Sequence, residues 1–238
     1  FPGTKVAASY PFRITRDADL EIADDEAEDL LSTIKETVEM RHFGSAVRLE
    51  IDTTMPEKIR DILVRNLNLD PYLVYSVDSP IGMANLWELV QLDRPDLKDP
   101  AFIPHVPPHI AASTSMFDAI RRRNTILYHP YDSFMPVLDF IREAAQDPSV
   151  LAIKQTLYRV GANSPVVESL KEARRNGKQV AVLVELKARF DEESNIAWAR
   201  ALEEEGVHVV YGVLGLKTHA KLLLVVRREH NGIMQYVH

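Results

Sequence analysis

His219 and Lys221, two residues apart in Gly215-Leu-Lys-Thr-His-Ala-Lys221, are the side chains of this sequence best suited to chemistry. An imidazole titrates near neutral pH and serves as a nucleophile, and an ammonium beside it neutralises the oxygens of a phosphoryl group under attack. Alternate residues of an extended strand face the same way, so the spacing predicts that both look into one space. His-x-Lys alone is a short motif, and a partly exposed histidine beside a solvated lysine is the plain alternative. Further cations stand where apolar runs end: Lys154 and Arg159 after Val150-Leu-Ala-Ile153, Lys187 and Arg189 after Gln179–Val184, Lys217 and Lys221 before Leu222–Val226. Two unit charges about 4 Å apart repel by roughly 4 kcal/mol at intermediate dielectric, and a bound phosphate chain relieves that repulsion. The forks of Arg159 and Arg189 match phosphate oxygens, whereas the lysines act as point charges. Weak surface pairing with Glu185, Asp191, Glu192 and Glu193 is the other reading of the same residues, and spacing leaves both open.

The elements that must position these groups are legible as apolar patterns. Gln179-Val-Ala-Val-Leu-Val184 and Leu222-Leu-Leu-Val-Val226 are short, continuous apolar runs, which predicts strands buried on both faces. Before the first of them, Phe134, Val137, Leu138, Ile141 and Ala145 form a helical stripe, capped by Asp132 or Ser133 and stopped by Asp147-Pro148. Val150-Leu-Ala-Ile153 is a buried strand, Ser164-Pro165 opens a helix and Gly177 closes it, a right-handed strand, helix, parallel strand unit. A helix over Asn195–Glu205, closed by Gly206, leads to a strand at Val207–Tyr211.

Nearer the start, Tyr10–Arg16 and Val47–Ile51 alternate as half-buried strands. A helix is expected from Asp24, with Ala27, Leu30, Leu31, Ile34 and Val38 as its stripe. A second helix follows Pro56, with Ile59, Ile62, Leu63 and Leu67 on one face. Tyr72–Val77 reads as a short extended segment, and then a small helix turns Met83, Leu86, Trp87 and Val90 inward. Leu92–Pro108, rich in Asp and Pro, reads as an irregular surface connection. The expectation is an α+β unit over residues 1–123 followed by an α/β unit over residues 124–238.

With 238 residues, 46% of them hydrophobic and 26% charged, the chain can bury a core for one large or two modest domains. No apolar run approaches the roughly 20 residues of a membrane span, no leader-like stretch is read before the first strand, and the expected compartment is the cytoplasm. The net charge of −7 excludes a general attraction to nucleic acid or acidic membrane, although local basic clusters can still hold a polyanion. Having no cysteine, the chain makes no disulfide and no thiolate metal site. It starts at Phe1 and stops on an unfinished Gln235-Tyr-Val-His run, so it reads as a piece of a longer chain.

Four strings carry a resemblance: Tyr128-His-Pro-Tyr-Asp-Ser-Phe134, Ala152-Ile-Lys-Gln-Thr-Leu-Tyr-Arg159, Val184-Glu-Leu-Lys-Ala-Arg-Phe-Asp-Glu-Glu193 and Tyr211-Gly-Val-Leu-Gly-Leu-Lys-Thr-His-Ala-Lys221. They resemble the first catalytic domain of bacterial polyphosphate kinase, of phospholipase D-like fold. Phe12-Arg-Ile-Thr-Arg-Asp-Ala-Asp19 and Leu92-Asp-Arg-Pro-Asp-Leu97 are similar to the head domain of that family. The resemblance implies a head domain followed by a truncated phospholipase D-like domain. Its activity would be reversible transfer of the terminal phosphate of ATP to polyphosphate, with ADP as the other nucleotide and identical subunits assembled in the complete protein. His219 then corresponds to the phosphorylated histidine, Lys221 to its neutralising partner, and Arg159 and Arg189 to the family's arginines at the magnesium and phosphate site. A guanidinium has no lone pair for a metal, so both are read as holding phosphate oxygens that Mg2+ bridges. Val226 departs from the wider His-x-Lys-x4-Asp pattern of phospholipase D relatives, which argues against phosphodiester chemistry.

Without the family's other domains the chain is expected to be poorly active or inactive. A polyanion-binding or assembly module without turnover is the competing reading. Of the remaining polar residues, His129 is read as packed in a local turn, His208 as a strand residue, and His105 and His109 as no metal pair. Arg121–Arg123 reads as a solvated helix end, and Trp87 and Trp198 as core anchors.

Overall fold

Apolar alternation builds the first unit around a small sheet. The computed structural model describes residues 3–17, 44–161, 164–186, 188, 191–213 and 216–238. Their contacts fall into two units, one with residues 3–17 and 44–100, the other with the described residues from 101 onward. In the first, β1 (Phe12–Arg16) runs antiparallel to β2 (Ala46–Asp52), and β2 runs parallel to β3 (Val74–Val77). Helix α1 (Glu57–Leu67) starts after Pro56 and ends at Asn68, which takes the left-handed conformation at φ 50°. Leu49, Ile51, Met55 and Leu69 form the buried centre, against which Ile14, Leu63, Val64 and Leu67 pack.

Two expectations for this unit are corrected. The buried face of α1 centres on Leu63, Val64 and Leu67, which leaves Ile59 and Ile62 on its margin and exposed. The next helix is only a 3₁₀ turn over Met83–Leu86 and a short α2 (Trp87–Gln91), with Met83, Leu86 and Val90 exposed and Trp87 exposed to 71%. The segment turns as 3₁₀ before it turns as α-helix, so spacing read for one continuous α-helix does not describe it, and Trp87 is no core anchor. The helix expected from Asp24 through Val38 lies outside the described residues.

The second unit begins with α3 (Pro108–Ala111) and α4 (Met116–Arg122), which lead to α5 (Met135–Gln146). Phe117 is 1% exposed and meets Phe140 and Tyr236 edge to face at 5.6 and 4.9 Å, so the helix just before Arg123 packs within this unit. Arg121 keeps an exposed side chain, as expected of this helix end, and pairs with Asp118 and Glu229. Then come β4 (Val150–Leu157), α6 (Pro165–Arg175), β5 (Gln179–Val184), α7 (Glu192–Glu204), β6 (His208–Tyr211), β7 (Leu223–Glu229) and β8 (Gly232–Val237). Gly177 and Gly206, at φ of 79° and 76°, close α6 and α7 in a conformation that side chains with a Cβ disfavour.

These strands form one mixed sheet in the order β6-β5-β4-β7-β8, with β4, β5 and β6 parallel and β7 antiparallel to both neighbours. Register aligns Ile153 with Val180 and Val225, and Val225 with Tyr236, all buried. The alternate rows are only partly buried: Ala152, Thr156, Ala181, Leu183, Leu224 and Val226 are intermediate and Lys154 is exposed. The expectation of strands buried on both faces is therefore corrected to one fully buried face, because continuous apolar sequence does not distinguish full from partial cover. Trp198 is half-buried, with the Lys171 ammonium 5.9 Å from its ring. Among the described residues no helix is long and apolar enough to cross a membrane.

A polar clamp fixes the turn between α5 and β4. Asp147 accepts from Ser149 N at 2.7 Å and from Arg227 Nε at 2.8 Å, and the buried Lys178 donates to its carbonyl at 2.6 Å. Burial alone would raise the Asp147 carboxyl, but the Ser149 amide and the Arg227 guanidinium outweigh it and lower its pKa below the ordinary 3.8. A depressed carboxyl stabilises the fold fully above its unfolded pKa, and that contribution is lost as pH falls through the folded value. Asp147→Asn is therefore expected to lower unfolding free energy by roughly 1–3 kcal/mol at pH 7, and denaturant titrations at falling pH should show the gap closing below about pH 4.

Candidate active site

Thr156, next to the last residue of β4, decides where the His-x-Lys segment runs. Its hydroxyl donates to Ala220 O at 2.7 Å and accepts from Leu222 N at 2.8 Å, while its own amide donates to Leu222 O at 2.9 Å. Residues 217–222 are thereby held along β4 although they belong to no strand, since β7 begins only at Leu223. The expectation that His219 and Lys221 share a face by strand alternation is corrected to this extent: they share a space, but side-chain hydrogen bonds put them there.

A second clamp joins the ends of β4 and β5. Glu185, 2% exposed, accepts from Thr218 N at 2.6 Å. Asn195 on α7, 1% exposed, donates through Nδ2 to Tyr158 O at 2.7 Å and to Glu185 O at 2.9 Å. A buried amide that spans two carbonyls fixes both strand ends relative to the helix. Glu185 and Glu192 are buried, whereas Asp191 pairs near the surface as the sequence alternative supposed, holding Arg159 Nε at 2.6 Å.

These clamps frame a cavity of about 660 Å³ whose walls include Thr156, Tyr158, Arg159, His219 and Lys221, with Phe134, Leu138 and Ile141 on the apolar side. Tyr158 is the meeting point. The His219 ring stands at 81° to it with centroids 4.7 Å apart, and the Lys221 ammonium lies 4.4 Å from its centroid. Arg159 and Lys217 approach the same ring at 5.5 and 5.9 Å. Lys221 also donates to His219 O at 2.5 Å. His219 and Lys221 are exposed, so an anion can reach both.

Of the expected cations, Arg159, Lys217 and Lys221 gather here. Lys187 and Arg189 lie outside the described residues. Lys154 is elsewhere: β4 continues to Leu157, so Lys154 sits mid-strand opposite Ala181 and Leu224 and lines a different hollow with Arg174 and His208. Among the described residues no cluster of three or more His, Asp, Glu or Cys side chains could hold a metal ion. Since guanidinium groups cannot ligate a cation, Arg159 does not fit a direct magnesium site. His129 hydrogen-bonds Asp132 O at 2.8 Å and meets Phe134 edge to face, the local turn role expected of it. His105 bridges Tyr131 O and the Asp132 carboxylate, and His109 meets the Thr125 hydroxyl.

An exposed imidazole, a lysine and an arginine around one cavity are suited to binding and accepting a phosphoryl group. Over residues 115–238 the chain matches the family model of the polyphosphate kinase C-terminal domain 1, and over residues 1–89 that of the polyphosphate kinase middle domain. The chain belongs to the polyphosphate kinase family. Among curated relatives, the polyphosphate kinase of Prosthecochloris aestuarii is 54% identical over 238 residues, which cover all of this chain and 33% of that protein. Polyphosphate kinase 1 of Chlorobaculum tepidum is 56% identical over 238 residues, again all of this chain and 34% of that protein. A crystal structure of polyphosphate kinase from Porphyromonas gingivalis superposes with a TM-score of 0.71 at 29% identity, covering 96% of this chain and 32% of that one. The chain thus spans about a third of the length of the curated relatives it matches. Mixed α/β architecture with two mixed sheets agrees with that polyphosphate kinase structure.

Sequence reasoning missed Tyr158, Thr156 and Asn195 as parts of this candidate site in the polyphosphate kinase chain. One signal was available for Asn195, which lies on the buried stripe of α7 with Ile196, Ala199 and Leu202, where an unpaired amide would be unfavourable. For Thr156→Val, which keeps the shape and removes both side-chain hydrogen bonds, exchange of the Leu222 amide measured by NMR is expected to speed up roughly tenfold, with the Ile153 amide unchanged.

Proposed function

We propose that this chain carries the phosphoryl-accepting histidine of a polyphosphate kinase, which moves the γ-phosphate of ATP reversibly to polyphosphate. A nitrogen lone pair of His219 attacks the γ-phosphorus in line, the bond to the β,γ-bridging oxygen breaks, and ADP leaves with that electron pair. A terminal oxygen of polyphosphate then attacks the phosphohistidine, and the nitrogen–phosphorus bond returns its electrons to the ring. Lys221 spreads the charge of the transferring group, and Arg159 and Arg189 bind phosphate oxygens. Magnesium enters this reading with the nucleotide as a counter-ion of its phosphates, consistent with arginines that bind oxygen and not metal.

The observation that carries the reading is the shared cavity of exposed His219, Lys221 and Arg159. The polyphosphate kinase relatives support polyphosphate as a substrate, and ATP, ADP and a cytoplasmic setting belong to the same proposal. A head domain followed by a phospholipase D-like catalytic domain, and identical subunits in the full-length enzyme, belong to the same reading. Val226 supports it against a phosphodiesterase: it is half-buried between Ala152 and Gln235, where the wider pattern calls for aspartate.

In an enzyme of the relatives' full length that carries this segment, γ-labelled ATP is expected to leave an acid-labile, base-stable label on His219. His219→Gln should lower that labelling at least 1,000-fold, on the order of losing an essential nucleophile. Label that persists after the substitution overturns the role, and polyphosphate binding with no label in the unsubstituted enzyme supports a binding module instead.

A further inference from the structure

The His-x-Lys segment runs outside any strand, so backbone alternation does not hold its two side chains together. What both touch is Tyr158: the imidazole at 4.7 Å between centroids and the Lys221 ammonium at 4.4 Å, with Arg159 and Lys217 farther out at 5.5 and 5.9 Å. Tyr158 can serve as a fixed point because the buried Asn195 amide holds its carbonyl at 2.7 Å and its ring is half-buried. We infer that Tyr158 is a positioning residue for phosphoryl transfer, its ring holding Lys221 and the plane of His219 toward the cavity without neutralising the cations. This rests on the reading of His219 as the nucleophile.

The chemistry of the ring explains why an aromatic residue suits this place better than an acid. A carboxylate among these cations would attract them more strongly, but it would cancel the positive charge that a phosphate must meet and repel the phosphate itself. The face of an aromatic ring attracts an ammonium through its quadrupole and carries no net charge. Lysines gathered on a ring therefore keep their full charge available to an incoming polyanion. At exposed sites such a contact changes an equilibrium by roughly two- to fivefold, and the loss of the imidazole contact adds to that.

The test uses the full-length enzyme and single-turnover labelling from γ-labelled ATP, with the label mapped to residue 219 by mass spectrometry. Tyr158→Phe, which keeps the ring, is expected to label within about twofold of the unsubstituted rate. Tyr158→Leu, of similar bulk and no quadrupole, is expected to slow labelling at saturating ATP by roughly tenfold, with a smaller change in the ATP concentration for half-maximal rate. Phenylalanine with increasing ring fluorination at position 158 keeps size and fold while draining the quadrupole, and the logarithm of the rate should fall steadily with each fluorine. A rate indifferent to fluorination, or equal rates for the Phe and Leu variants, overturns the role of the ring while leaving His219 as nucleophile. No label on residue 219 in the unsubstituted enzyme overturns the functional reading, and this inference with it.

Discussion

The hydroxyl of Thr156 is the interaction on which the site depends. By donating to Ala220 O and accepting from Leu222 N, it pins a segment that has not yet entered β7 against the end of β4. Without that exchange Ala220 O and Leu222 N would lose these partners, and only the bond from Thr156 N to Leu222 O would tie residue 222 to β4. Glu185 adds a tie at Thr218 N, and Asn195 ties the carbonyls of Tyr158 and Glu185. The site is thus built of side chains that complete the backbone hydrogen bonding of strand ends. Such a frame can hold exposed functional groups in fixed places while the groups themselves stay in contact with solvent.

Charge governs what this frame can receive. Arg159, Lys217 and Lys221 stand around one ring, and Asp191 engages Arg159 at 2.6 Å. An ion pair of two half-exposed side chains is worth about 1 kcal/mol or less, so a phosphate chain that brings several charges at once can displace the carboxylate. The chain as a whole carries −7, which repels polyanions from most of its surface. On the proposed reading, a negative net charge and a local cationic cavity together favour binding of a polyphosphate at this cavity over general attraction to the chain.

How far sequence led to this arrangement varied with the kind of signal. Glycines and prolines gave the element ends well: Gly177 and Gly206 close helices, Pro165 opens one, and Asp147 stops another. Apolar content located the strands but misjudged their cover, because Val180 and Leu183 read alike although one is fully buried and the other is not. Amphipathic pattern failed at Trp87, since apolar residues at helical spacing specify a face only where one continuous α-helix carries them, and this segment turns first as 3₁₀. In the site, His219 and Lys221 were legible because their chemistry is local to each side chain. The reason they meet was not, since it lies in hydrogen bonds from Thr156 that span 64 and 66 residues. Lys154 shows the converse error: a strand read as ending at Ile153 continues to Leu157 and carries the lysine away from the rim.

Val226 bears on the same electrostatic argument. It lies on the half-buried face of the sheet, opposite Ala152, in the row that also holds Lys154, Thr156 and Leu224. A carboxylate at this position would stand four residues along β7 from Leu222, roughly 13 Å from the segment that carries Lys221. At that distance, over a partly buried sheet where screening is weaker than in bulk water, it would still lower the potential at the cavity. A terminal phosphate carries more charge than a diester, so a site that accepts one benefits from every acid left out of its surroundings. The apolar side chain on β7 and the uncharged ring of Tyr158 then express one constraint: beside the imidazole, the Lys221 ammonium meets an aromatic ring that does not cancel its charge, while the carboxylate of Asp191 is engaged with Arg159.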